Sequence, residues 1–135
     1  MNEPHRTLFR VIYGDTDNMG YAYYGNYMRW FEIGRTELFR SMGLTYKSIE
    51  GKGVFLPVSE AFVKYVFPVR YDDELVVETR LDSNVKGGVK FDYSIRRLEG
   101  DIICATGYTR HACVNPEGRL IRPPAFLSRM IKETF

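Results

Sequence analysis

The sequence predicts an α+β fold, with one long helix early in the chain and a five-stranded antiparallel sheet built mostly after it. Two periodicities and the turns between them predict it. Tyr27, Phe31, Gly34, Leu38 and Met42 recur at three- and four-residue steps, which puts apolar side chains on one face of a helix. From Val54 onward the period changes to two. Leu75, Val77, Thr79 and Leu81 alternate with Glu74, Glu78 and Arg80, and Val89, Phe91, Tyr93 and Ile95 alternate with Lys90, Asp92, Ser94 and Arg96, as in half-buried strands. Gly, Asn, Asp and Pro clusters separate these runs. A length of 135 residues fits a single domain, 1–135, with a core of its own.

Each element has its own signal. Thr7 to Tyr13 is rich in β-branched and aromatic residues and reads as the first strand. Gly14, Asp15, Asp17, Asn18 and Gly20 break it. The helix runs from about Tyr24 or Asn26 to Met42, with Gly43 as its stop. Trp30, Ile33 and Met28 widen its apolar surface, so it should be enclosed on several sides. Arg29, Arg35, Glu37 and Arg40 mark its wetter face. A helical turn is expected at Tyr46–Glu50. The strand from Phe55 to Val66 carries Pro57, which points to an edge, a bulge or a late start to pairing. Phe67–Asp73 is a turn, Glu74–Leu81 and Val89–Leu98 are strands, and Glu99-Gly100-Asp101 is a tight hairpin. Ile102–Val114 is the last long strand, and a short helix follows Pro124, from Ala125 to Lys132. One helix cannot cover both faces of a five-stranded sheet. The other face or an edge is either solvated or covered by a second copy, and the exposed-edge problem favours dimerisation.

Composition excludes several classes. The chain is 44% apolar and 27% charged, with net charge +2, too small a surplus to imply a nucleic-acid partner. No apolar run is long enough for a membrane span, and the N-terminus lacks a signal-peptide pattern, so a cytoplasmic location is expected. Cys104 and Cys113 have opposite parity within one predicted strand, so they should face opposite sides and form no disulfide. No Cys/His pair has metal-ligand spacing.

The residues between the first strand and the helix hold the chemistry. A helix start supplies unpaired N–H donors and a positive dipole end. A glycine-bearing turn, Gly20 to Gly25, lets a substrate approach the backbone. Asp15 and Asp17 sit in the same stretch, where a carboxylate can act as base or nucleophile or simply cap the turn. His5 and His111 are weak candidates for a base, and no Gly-x-Ser-x-Gly elbow is present. Tyr23, Tyr24, Tyr27 and Trp30 either wall an acyl pocket or pack in the core. Glu32 and Arg35 form a pair one turn apart, or Glu32 reaches the site. Lys86, Gly87, Gly88 and Lys90, with Arg119 and Arg122, either form a cationic rim for phosphates or are solvated turn residues.

The pattern Tyr13-x-Asp15-Thr16-Asp17-x-x-Gly20-x-x-Tyr23-x-x-x-Tyr27, with Glu32-x-x-Arg35 on the following helix, resembles the hotdog-fold acyl-CoA thioesterases. The nearest group is the 4-hydroxybenzoyl-CoA thioesterase family, with the bacterial acyl-CoA thioesterases of the Tol-Pal gene neighbourhood. Tyr65-Val-Phe-Pro-Val-Arg-Tyr-Asp-Asp-Glu-Leu75 resembles the same group, and the likeness runs from about residue 7 to residue 125. It implies a hotdog fold, a sheet wrapped around one long central helix. It also implies a homodimer joined edge to edge, often paired into a homotetramer, and a thioester bound between protomers without metal or other cofactor. Asp17 takes the position of the catalytic carboxylate, as nucleophile or as base for water. Backbone N–H groups near Tyr24 and Gly25 take that of the oxyanion donors. Asp15 orients the turn. Substrate contacts are expected from Asp15, Gly20, Tyr23, Tyr27, Lys86, Lys90 and Arg119. Asn18-Met19 and Ala22 depart from the group's usual residues and bear on the acyl pocket. The substrate class is therefore a small or medium acyl thioester of CoA or acyl carrier protein, aromatic or aliphatic. The competing reading is a hotdog protein that binds acyl thioesters, or assembles, without hydrolysing them.

Overall fold

A computed structural model describes residues 3–133. The chain forms β1 (His5–Arg10), α1 (Asn26–Ser41), α2 (Tyr46–Gly51), β2 (Val58–Tyr65), β3 (Glu74–Leu81), β4 (Gly88–Arg97), β5 (Ile102–Ala112) and α3 (Ala125–Glu133). The five strands make one antiparallel sheet in the order β1-β3-β4-β5-β2. The α+β class and the five-stranded sheet with its long helix are as expected. Helix α1 starts at the later of the two expected positions, and β2 starts late, after Pro57, with an irregularity between Val58 and Glu60.

The inner face of the sheet holds α1. Phe31 stacks on Tyr93 of β4 at 4.2 Å and 4°, and Phe39 meets Phe91 edge-on at 5.3 Å. Trp30 lies between Phe9 and Tyr27. Trp30, Phe31 and Phe39 have no exposed surface, and burying each stabilises the fold by about 2–3 kcal/mol. Two glycines set how closely the layers approach. A Cβ at Gly34 would overlap Thr79 Oγ1 and come within 3.1 Å of Val77; one at Gly107 would reach the Phe31 ring at 2.8 Å.

Three expectations require correction. The first strand ends at Arg10, not Tyr13, because the Ile12 N–H turns to the Asp15 carboxylate at 3.1 Å and a short 3-10 turn, Tyr13–Asp15, follows. Arg35 does not lie on the wet face. It is 8% exposed, and its guanidinium donates to the hydroxyls of Tyr46 at 3.1 Å and Tyr93 at 3.5 Å. Its expected neighbour Glu32 is 3.8 Å away. Cys104 and Cys113 do not point to opposite sides: both are buried in the core, and both are free thiols. The β4–β5 register passes from Ile95↔Ala105 to Arg96↔Ile103 and skips Cys104. The bulge turns Cys104 into the core and breaks the parity.

The core also carries a directional polar chain. Arg35 donates to the Tyr93 hydroxyl, which lies 2.7 Å from Thr109 Oγ1; Thr109 Oγ1 is 2.8 Å from His111 Nε2, and His111 Nδ1 is 3.0 Å from the Leu56 carbonyl. A carbonyl only accepts, so Nδ1 carries the proton and Nε2 accepts from Thr109. Burial pushes His111 down to about 4, the Leu56 carbonyl opposes this, and the nearby Arg35 charge adds to it.

Candidate active site

The site is built on the loop between β1 and α1. Asp15 holds that loop to the helix. Its Oδ2 accepts from the Ile12 N–H and its Oδ1 from Arg29 of α1; its backbone carbonyl accepts from the Tyr23 N–H at 2.7 Å and from Asn26 Nδ2 at 2.8 Å. Asp15 is 5% exposed. Within one chain both carboxylate oxygens are engaged and buried.

Asp17 is presented quite differently. Its Oδ1 accepts from the N–H groups of Met19 at 2.8 Å and Tyr21 at 3.2 Å, while its backbone closes the same turn with Tyr21 and Gly20. Gly20 takes φ +83°, a conformation glycine adopts without steric cost. Asp17 is exposed, and its Oδ2 accepts no hydrogen bond among the described residues. The carboxylate thus caps its turn with one oxygen and keeps the other available.

The loop then returns along the Phe67–Asp73 segment. Ala22 pairs with Thr16, its N–H donates to the Val69 carbonyl at 2.8 Å, and Tyr21 bridges to Arg70. This brings the chain to the start of α1. Among the described residues, neither the Tyr24 nor the Gly25 N–H donates a hydrogen bond. Free donors at a helix start carry the positive end of its dipole and suit a developing oxyanion. The Tyr24 carbonyl accepts from the Tyr65 hydroxyl of β2 at 3.2 Å and from the Tyr27 N–H at 3.3 Å. The Tyr23 ring lies against Gly25, where an added Cβ would meet it at 2.7 Å.

A cleft of about 320 Å³ opens between these segments, lined by Tyr21, Ala22, Tyr24, Tyr27, Tyr65 and the stretch Val66–Val69. Its walls are largely aromatic and apolar, suited to an acyl group. Tyr27 is buried and its phenol is pushed up to about 12 by burial, so it stays protonated. Trp30 is core rather than wall, and neither Asp17 nor Tyr23 lines this cleft within one chain.

The expected cationic rim is not assembled around the cleft. Lys90 is taken up by Asp82 at 3.4 Å and Asp92 at 3.3 Å and lies over the Tyr108 ring. Within one chain its charge is paired with these two carboxylates. Lys86 lines a separate cavity of about 270 Å³ with Gly87, Ser128 and Lys132. Arg119 is exposed in a turn closed by Asn115. Both lie at the end of the sheet where Gly88 pairs with Ala112. Asp17 lies at the other end, where Val11 bonds Asp73 just before β3. Among the described residues no group of three His, Cys, Asp or Glu side chains could hold a metal, and no helix is long and apolar enough to cross a membrane.

Arg29 and Tyr65 also contact the loop of this site, Arg29 through Asp15 and Tyr65 through the Tyr24 carbonyl, and the sequence does not signal either contact. Arg29 is one turn into the helix, and its choice of Asp15 over any other acid has no spacing signal. Tyr65 stands in the second resembling segment, but its bond spans 41 residues, beyond any periodicity.

The family described as "Thioesterase-like superfamily" matches residues 11–132. The chain is 36% identical over 108 residues to the putative acyl-CoA thioesterase YneP of Bacillus subtilis, covering 79% of this chain and 77% of YneP. It is 31% identical over 107 residues to the acyl-CoA thioesterase YbgC of Haemophilus influenzae, covering 78% of this chain and 77% of YbgC. The crystal structure of hypothetical protein TT1821 from Thermus thermophilus superposes with TM-score 0.89 at 30% identity, covering 96% of this chain and 98% of that one.

Proposed function

Because the chain belongs to the thioesterase-like superfamily, we propose that it is an acyl-CoA thioesterase for a small or medium acyl group, with Asp17 as the reacting carboxylate. The observation that carries the reading is the pair of free N–H groups at Tyr24 and Gly25, on the loop that also presents Asp17 with Oδ2 open. The thioester carbonyl oxygen accepts from those N–H groups. Water adds to the carbonyl carbon while its proton passes to Asp17. The tetrahedral oxyanion then collapses, and the departing CoA thiolate takes the proton back. In the alternative course Asp17 attacks directly, expels the thiolate and forms a mixed anhydride that water cleaves. Both end in free acid and CoA, and both use the same two donors.

A homodimer completes the site in this reading. Strand β2 is a sheet edge with Val58, Phe62 and Tyr65 about half exposed, and an exposed apolar edge invites pairing. Two copies related by a twofold axis pair β2 antiparallel. With eight residues in β2, its ends lie about 25 Å apart. Pairing sets the Tyr65 end of one copy beside the Val58 end of the other, which is the Lys86 and Arg119 end. The second copy thereby offers cations for the CoA phosphates that one chain does not bring to its own cleft. A single domain and a cytoplasmic setting, where the free thiols Cys104 and Cys113 stay reduced, belong to the same proposal.

Purified protein is tested for free-thiol release on a panel of acyl-CoA and acyl-acyl carrier protein thioesters, aliphatic and aromatic. Hydrolysis of at least one class well above the spontaneous rate supports the reading. A background rate on the whole panel sinks it and favours a non-hydrolytic binding protein.

A further inference from the structure

We infer that Tyr65 is a positioning residue for the oxyanion donors, acting through the Tyr24–Gly25 peptide; the inference rests on the thioesterase reading above. The Tyr65 hydroxyl donates to the Tyr24 carbonyl at 3.2 Å. That carbonyl and the Gly25 N–H belong to one planar trans peptide, so they point in opposite directions. Fixing the oxygen fixes the line along which the Gly25 N–H points. This peptide is the middle one of a turn that the Asn26 N–H closes on the Tyr23 carbonyl at 3.0 Å, and the Tyr65 hydroxyl adds a side-chain contact on its oxygen. Gly25 has no side chain, both Tyr24 and Gly25 are exposed, and the Tyr24 carbonyl also accepts from the Tyr27 N–H at 3.3 Å, so the hydroxyl and the helix share this oxygen.

The hydroxyl also changes the strength of the donor. A hydrogen bond accepted by a peptide carbonyl draws electron density from its own N–H, and bonds in such a chain strengthen one another. The Gly25 N–H is thereby a better partner for an oxygen that is gaining charge than for the same oxygen in the ground state. That difference accelerates the chemical step without tightening substrate binding.

Tyr65 is itself well held. Its ring meets Tyr27 edge-on at 4.8 Å and 88°, and meets Tyr24 edge-on at 6.4 Å. It stands at the end of β2 opposite Ala105 of β5, and it lines the cleft beside Tyr24 and Tyr27. The ring packing and the hydroxyl bond are separable, because Phe supplies the first and lacks the second. The strand that ends at the cleft thus reaches the helix start through this hydroxyl as well as through ring packing.

The test is Tyr65→Phe, measured for thiol release beside wild type and Asp17→Asn on the best substrate of the panel. The expected result is a fall in kcat of about 3- to 10-fold, with KM unchanged and the thermal midpoint within about 2 °C of wild type. A fluorinated tyrosine placed at position 65, which keeps the hydroxyl, restores kcat. Wild-type kcat in Tyr65→Phe, with Asp17→Asn inactive, overturns the role of Tyr65 and leaves the thioesterase reading standing. A loss in KM or in stability that accounts for the whole effect also overturns it. No thiol release by wild type overturns both.

Discussion

Acid should unfold this protein through His111 before most of its carboxylates titrate. His111 is 2% exposed and is held neutral, its Nδ1 on the Leu56 carbonyl and its Nε2 on Thr109. Protonation would turn Nε2 into a donor, facing a hydroxyl that already receives Tyr93, and would add charge near Arg35. Burial is the main cause of its drop from the usual 6.5 to about 4. In the unfolded chain the imidazole takes its proton near pH 6.5, so the unfolded state binds more protons between these values. Stability contributed by neutral His111 is complete above about pH 6.5 and is lost as pH falls towards about 4, below which both states are protonated. The loss amounts to about 3 kcal/mol, a large share of the 5–15 kcal/mol typical of a domain. Urea unfolding from about pH 7.5 to about pH 4 reads it, in wild type and in His111→Asn, which keeps a donor for Leu56 but does not titrate. The wild-type slope through this window should exceed that of the variant, which is less stable at neutral pH. Parallel slopes would refute the neutral, buried imidazole.

Further outcomes follow from the packing and the loop. Gly34→Ala should destabilise by about 1–3 kcal/mol, because its Cβ overlaps Thr79 and crowds Val77; unchanged urea unfolding would mean that α1 does not press on β3 there. Asp15→Ala frees Arg29 and the Ile12 N–H, so it should lower stability by about 1–3 kcal/mol and lower kcat with it. A kcat at the wild-type value would show that the catalytic turn holds its shape without this clamp. Phe62→Lys puts a charge on the exposed edge of β2; light scattering should report monomers, with thiol release lost in parallel. An intact dimer, or an active monomer, would remove the second copy from the site.

Much of the fold was legible because it rests on periodicity. The strict alternation of Leu75 to Leu81 and Val89 to Ile95, and the helical step of Tyr27 to Leu38, follow from which faces meet α1 or the sheet. The failures share one cause, a specific contact that overrides the local pattern. Asp15 captures the Ile12 N–H and ends β1 early. One bulged residue sends Cys104 inward. Arg35 is buried because two tyrosine hydroxyls from distant segments accept from it. At the site, the Asp17 turn and the helix start could be read from residue type. The acidic neighbours of Lys90, Asp82 and Asp92, are close in sequence, and the ion pairs they form could be read from that proximity. Tyr65 was not legible, since its partner is a backbone oxygen brought close only by the folded sheet.

The proposed chemistry depends above all on a single carboxylate oxygen, Asp17 Oδ2. Asp17→Asn keeps an oxygen able to cap the Met19 and Tyr21 N–H groups but removes the charge that accepts a proton or attacks a carbonyl. Single-turnover thiol release from the best acyl-CoA substrate, compared between wild type and this variant in their folded forms, should fall by about 100-fold or more. Equal rates would show that Asp17 only shapes its turn, and that the reacting group lies elsewhere.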